Sequence, residues 1–304
     1  MSSRTSLVAA ALLVGALGAA CDAGAPSAAP SPSPVAPPLA LDAAPPLPPH
    51  QRHVDLAAAV LASIPAEARV LGFGELHVRA DRPTTATSAL ARFQAEVLPA
   101  LAPRLSDLVL ETWIVDRRCA AKGTAASARI EQAMHRPDAT KAELANQIAA
   151  AQLAGVKVHA LTMACDDYDR VAPPTGGIDA EALLTLVTRE LGRIAQSAIA
   201  FRDRDPASRP WIAVYGGALH NDRTPLSSLA EWSYAADVDA ASGGRFVELD
   251  LIVPELAEAD PASRQQPWFP LVAGVGASPV SWQRGERSVV IILPRATMPP
   301  PLSQ

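Results

Sequence analysis

Little in this chain announces its class, and each scarcity excludes something. Aromatic residues make up 4 % of the 304 residues, and there are three cysteines, too few to build a disulfide-held fold. No apolar run reaches the roughly 18 residues that a membrane-spanning helix needs, which excludes a multi-span transporter. Lys and Arg form no cluster and the formal net charge is −5. The concentrated positive charge that drives nucleic-acid binding is therefore missing. What remains is a globular domain with ample apolar content, 49 %, for a core.

Proline is the exception to the scarcity, at 29 residues, and much of it lies near the start. Arg4 precedes an apolar stretch from Leu7 to Leu17, which exits through Gly18, Ala19 and Ala20 into Cys21. A positive start, a short apolar core and a small-residue exit make a secretory leader over residues 1–20. Ending on a cysteine, it resembles the bacterial lipoprotein signal, in which that cysteine is acylated and becomes the mature N-terminus. Residues 21–51 then read as a tether rich in Ala, Pro and Ser. Such composition cannot bury enough apolar surface to offset its ordering entropy, and its prolines favour extended chain. With Cys21 acylated, Cys119 and Cys165 remain as an even pair in an oxidising compartment. They form either a disulfide or two buried thiols.

From about Arg52 to Arg295 apolar runs alternate with helical patterns. Strands are expected at Arg69–Phe73, Asp107–Glu111, Val156–Leu161, Trp211–Tyr215, Phe246–Val253 and Ser288–Leu293. Helices are expected at Asp55–Ser63, Thr85–Ala100, Ala125–His135, Lys141–Ala154 and Asp179–Phe201. Strands separated by helices imply an α/β domain with a mostly parallel sheet and flanking helices. The last two strands lack a strong helix between them and are open to antiparallel pairing as a C-terminal hairpin. The helical insert after the second strand is placed to cap one face. Residues 296–304 read as a disordered tail.

Four of these strands end in polar motifs. The first runs into Gly74-Glu75-Leu76-His77; residues two apart on extended chain point the same way, so Glu75 and His77 can serve one site. The second ends in Glu111, the third leads to Asp166 and Asp167, and the fourth opens into Gly216-Gly217-Ala218-Leu219-His220. Parallel sheets gather ligands at the carboxyl ends of their strands. Adjacent parallel strands would bring Glu75, His77, Glu111 and His220 together. Asp166 and Asp167 are equally suited to capping a turn. His159 reads as a structural residue within its strand, His135 as a helix-end residue, and His50 and His53 as solvent-facing. Neither Ser197 nor Ser228 has a nucleophile-elbow context.

Gly74-Glu75-Leu76-His77 and Gly217-Ala218-Leu219-His220, with Glu111 between them, resemble the signature motifs of one superfamily. It joins ChaN-type haem-binding lipoproteins, TIKI/TraB proteins and erythromycin esterases. Arg202 followed by Asp203 resembles the ChaN branch, and the likeness spans roughly Val70 to Asp222. The resemblance implies an envelope lipoprotein that hydrolyses an ester, lactone or peptide, with Glu75, His77, Glu111, Arg202 and His220 as catalytic residues. Two mechanisms fit. A divalent metal could sit on His77, His220, Glu75 and Glu111 with a position open for water. Alternatively His77 acts as the base towards water and His220 stabilises the oxyanion. The alternative from the ChaN branch is a haem- or iron-binding lipoprotein without catalysis. The partners expected are a small-molecule or peptide substrate and, through the N-terminal lipid, a membrane.

The tether reading has a direct test. Cys21→Ser is expected to move the protein, expressed in a bacterial host, from the membrane pellet to the soluble fraction. A Cys21→Ser chain that still sediments with membranes would overturn it.

Overall fold

The computed structural model describes residues 47–82, 84–205 and 207–295. The leader, Cys21, nearly all of the tether and the C-terminal tail lie outside the described residues. Along the described chain come β1 (Gln51–Arg52), α1 (Leu56–Ala62), β2 (Val70–Glu75), α2 (Ala89–Arg92), a π-helical turn (Phe93–Val97), α3 (Leu98–Leu101) and β3 (Leu105–Ile114). Then follow α4 (Ala120–Ala133), α5 (Asp138–Leu153), β4 (Lys157–Thr162), α6 (Cys165–Val171), α7 (Ala180–Arg202) and β5 (Trp211–Gly217). The last third carries α8 (Ala235–Ala241), β6 (Phe246–Ile252), α9 (Pro254–Ala259), α10 (Pro270–Gly274), β7 (Val280–Gly285) and β8 (Ser288–Ile292).

The eight strands make one mixed sheet in the order β1-β7-β8-β6-β2-β5-β3-β4. From β8 to β4 every neighbouring pair is parallel. β7 runs antiparallel to β8 and to β1. The architecture is α/β, mostly parallel, with flanking helices and an antiparallel C-terminal hairpin. That hairpin is built differently from the expectation. The strand beginning at Phe246 pairs in parallel with the one beginning at Ser288. α9 and α10 lie between them, each with Pro at its first turn, where the missing N–H costs nothing. The antiparallel arm is β7, whose Val-Ser-Trp-Gln-Arg-Gly pattern shows no apolar run.

Both faces of the sheet are covered. Leu71 and Phe73, Trp211, Ala213 and Tyr215, and Val247, Leu249 and Leu251 pack on one face with residues of α1, the π turn, α3 and α5. Val70, Val109, Ile212 and Val214 meet α7 and the residues of α4, α6 and α8 on the other. Such double burial is why the central strands read as continuous apolar runs. α7 is started by Asp179, whose carboxylate accepts from the Ala182 amide at 2.9 Å. The helical insert does not cap one face. Ala126 and Ile130 of α4 join the α7 side, while Ala151 of α5 joins the other.

A disulfide joins Cys119, at the start of α4, to Cys165, the first residue of α6. The two are 46 residues apart in sequence, and closing a loop of that length is worth about 3–4 kcal/mol on the chain-entropy picture. A Cys119→Ser, Cys165→Ser chain is therefore expected to lose unfolding free energy of that order, read as a lower urea midpoint. Equal midpoints for the two chains would show that the bridge contributes nothing to stability.

Candidate active site

β2, β5 and β3 are adjacent and parallel, so their carboxyl ends open side by side. Glu75 is the last residue of β2 and Gly217 the last of β5. Glu111 sits in β3 where the pairing with β4 slips between Leu110 and Trp113. A bulge of this kind re-aims side chains at a strand end.

His77 is held from both sides. Its Nδ1 lies 2.9 Å from Glu75 Oε1 and its Nε2 lies 3.4 Å from Glu111 Oε1. Each carboxylate has further partners. Tyr215 donates its hydroxyl to Glu75 Oε2 at 2.6 Å. The Gly217 amide donates to Glu111 Oε2 at 2.6 Å, and Arg136 Nη2 donates to Glu111 Oε1 at 3.2 Å. Glycine is required opposite this pair. A Cβ on Gly216 would stand 2.6 Å from Glu111 Oε2, and one on Gly217 would stand 3.0 Å from His77 Nε2.

The electrostatics follow from the contacts. Burial opposes a charge on His77, but the charges and hydrogen bonds of Glu111 and Glu75 outweigh it and lift its pKa from 6.5 to about 10. Burial likewise opposes the Glu111 charge, yet the His77 charge beside it, with smaller help from Arg136, holds Glu111 well below the usual carboxylate range. At neutral pH His77 is therefore an imidazolium, with the Glu111 carboxylate beside it.

His220 lies beneath this group, 4 % exposed. Its Nδ1 is 2.7 Å from Thr188 Oγ1 and 3.0 Å from the Trp232 carbonyl. A carbonyl only accepts, and Thr188 spends its own proton on a backbone carbonyl such as Leu184 at 2.9 Å. Nδ1 therefore carries the hydrogen and Nε2 the lone pair. Burial lowers the His220 pKa, keeping it neutral. A bare Nε2 cannot donate to an oxyanion, so the role first assigned to His220 does not fit its tautomer. Its ring is held in place by Thr188 and the Trp232 carbonyl.

Arg202 does not join the group. Its guanidinium binds Asp107, Nε at 2.6 Å and Nη2 at 3.2 Å, near the amino end of β3. Asp107 is 2 % exposed and needs a counter-charge, which Arg202 supplies together with His159 at 2.8 Å. The guanidinium at the site belongs to Arg136. Its local signal is faint: His135 before it takes a positive φ of 52°, and the His135 carbonyl accepts from the Ala80 amide at 2.7 Å. Asp167 caps α6 by accepting from the Ala164 amide at 3.0 Å, and Asp166 is exposed, so neither joins the cluster. His53 is half-buried against Ser281 Oγ at 2.7 Å rather than facing solvent.

Both ring nitrogens of His77 face carboxylates, so a metal ion held here would have to displace one of these contacts and the ring proton. Among the described residues no three His, Cys, Asp or Glu side chains are arranged to hold an ion.

His77 also lines a cleft of about 510 Å³ with Leu76, Arg79, Leu256, Ala259 and Asp260. On its inner side Glu75, His77, Glu111, Arg136 and Tyr215 border a void of about 20 Å³, room for a single water.

No family model matches the chain, and no curated protein matches it. A solved structure described as that of the type III effector HopBA1 is similar at 15 % identity, with 75 % of this chain and 88 % of that one covered and a TM-score of 0.34. A likeness this low carries no argument.

The His77 pKa has a consequence for stability. A group whose pKa is raised on folding stabilises fully below its unfolded value, 6.5, and loses that contribution as pH climbs through about 10. The urea midpoint of the wild type, relative to His77→Gln, is expected to decline between pH 6.5 and 10. A constant difference across that range would contradict the clamped imidazolium.

Proposed function

We propose that the chain is an envelope-anchored hydrolase of an ester, lactone or peptide, working by acid–base catalysis with His77 as the proton donor. The observation that supports it most strongly is the imidazolium clamped between Glu75 and Glu111 at the edge of the 510 Å³ cleft. The reading reverses the role that the motif resemblance implies for His77, since a group already protonated at neutral pH cannot take a proton from water. It also dispenses with the divalent metal.

The steps balance without an outside reagent. Water attacks the scissile carbonyl carbon, and Glu111 takes its proton as the new C–O bond forms. His77 gives its Nε2 proton to the leaving oxygen or nitrogen as the old bond breaks. Glu111 then returns a proton to His77 across their 3.4 Å contact. The two transfers assist each other. Besides opposing burial, the His77 charge is the main influence holding the Glu111 pKa down. As His77 discharges, burial takes over and Glu111 becomes a stronger base in the same step. Glu75, backed by Tyr215, orients the ring. Arg136 keeps Glu111 aimed and supplies a fixed positive charge beside the reacting centre.

Hydrolysis of p-nitrophenyl acyl esters, a lactone panel and short peptides tests this. Activity is expected through neutral pH with an alkaline limb near pH 10. His77→Gln should lose about 10²–10⁴-fold in kcat, the usual worth of a positioned acid. Chelator treatment should leave the rate unchanged. Activity that emerges only above pH 9 would restore His77 as the base, and loss to chelator would restore the metal.

A further inference from the structure

A second cavity lies towards the other end of the strands. It is about 480 Å³ in volume and opens between the edge strand β4, the start of β3 and the last three turns of α7. Its walls include Lys157 and His159 from β4 and Arg193, Ile194, Ser197 and Phe201 from α7. Asp107 pairs with Lys157 in the β3–β4 register, four residues before Glu111. At about 3.3 Å per residue that places the cavity on the order of 13 Å from the catalytic cluster.

The wall carries a cation with no answering acid. Asp107, at the back, is already satisfied by Arg202 and His159, and burial notwithstanding, those bonds hold it ionised. Arg193 pairs with Glu190 at 2.8 Å. The Lys157 ammonium makes no ion pair or hydrogen bond among the described residues and lies 5.4 Å over the Phe201 ring. Arg193, Ser197 and Phe201 are spaced i, i+4, i+8, so one stripe of α7 passes from guanidinium through hydroxyl to an aromatic ring. Phe201 is 56 % exposed although the rest of that helix buries its apolar side chains well. An exposed ring and an unmatched ammonium at the rim of a cavity are what a ligand with a charged head and an apolar body would cover.

We propose that this cavity binds an amphipathic organic anion. Its carboxylate or phosphate head would lie between Lys157 and Arg193, and its aromatic or acyl body against Ile194 and Phe201; Ser197, whose hydroxyl donates to the Arg193 carbonyl at 2.8 Å, only lines the wall. The volume falls within the roughly 300–1,000 Å³ of small-molecule sites. Two or three cations with a single aromatic ring are too few for a nucleic-acid track. The occupant is a free small molecule or a lipid headgroup presented at the membrane, which share this chemistry.

Fluorescence of 1-anilinonaphthalene-8-sulfonate, titrated into the full chain carrying Cys21→Ser, tests the site. Saturable binding is expected, weakened at least tenfold by Lys157→Glu. That change removes no ion pair, so the fold should survive, as circular dichroism would check. Phe201→Ser should weaken binding too, while Lys141→Glu on the distant α5 should not. None of these is expected to alter ester hydrolysis, so this proposal and the catalytic one fail separately. Competition by dodecanoate or phenyl phosphate identifies a free ligand. Lys157-dependent co-sedimentation with phosphatidylglycerol vesicles, without such competition, identifies a headgroup. Dye binding unchanged by Lys157→Glu and Phe201→Ser would overturn the proposal.

Discussion

An imidazole ring set between Glu75 and Glu111 governs the carboxyl end of this sheet. Two carboxylates brought this close would repel each other, and burying either one alone is costly. The proton on His77 turns that repulsion into attraction on both sides. The other polar contacts in the cluster support the arrangement: the Tyr215 hydroxyl and the Gly217 amide satisfy the carboxylate oxygens that His77 leaves over, and Arg136 shares Glu111 Oε1 with it. The charge state of one ring thus sets the basicity of a carboxylate 3.4 Å away, and proton transfer from one changes the other.

The fold makes this placement inexpensive. Parallel pairing puts the ends of β2, β5 and β3 in one row, so Glu75, Gly217 and Glu111 arrive from three separate stretches of chain without any long loop reaching across. Gly216 and Gly217 let the β5 backbone come close enough to serve as a hydrogen-bond donor. Thr188 on α7 and the Trp232 carbonyl then fix the tautomer of His220 from the layer below.

Much of this was legible in the amino-acid pattern because parallel strands buried on both faces are apolar throughout. The central parallel strands stand out for that reason, and a carboxylate interrupting such an apolar run, as at Glu111, is conspicuous. β7 was not legible, since Trp282, Gln283 and Arg284 alternate with no apolar run on a strand near the sheet edge. Arg136 was not legible either. It reaches Glu111 from the turn between α4 and α5, 25 residues further along, and nothing local marks that reach. Arg202 illustrates the opposite failure. Its place in a motif suggested catalysis, but Asp107 inside β3 is a buried charge, and Arg202 neutralises it. A carboxylate within an apolar strand needed a cation, and the pairing could have been sought from that demand alone.

A second buried acid pair extends the logic across the sheet. Glu248 and Asp250 sit two apart on β6, facing the same way, and Arg284 of β7 reaches Glu248 at 3.0 Å and Asp250 at 3.7 Å. One cation does not fully compensate both. Burial, with the Glu248 charge beside it, pushes the Asp250 carboxyl well above its usual range. Asn221 binds Asp250 Oδ1 at 3.2 Å and the Gly72 carbonyl at 3.1 Å through the same amide nitrogen, and it follows His220 directly. A side chain on Gly74 would close this space, since its Cβ would stand 2.3 Å from Asp250 Oδ1. Gly74 therefore serves two networks: it frees the exit of β2 towards Glu75, and it leaves room for the pair that anchors the His220 turn. Asn221, through the Gly72 carbonyl and Asp250, ties the turn that carries His220 to both β2 and β6.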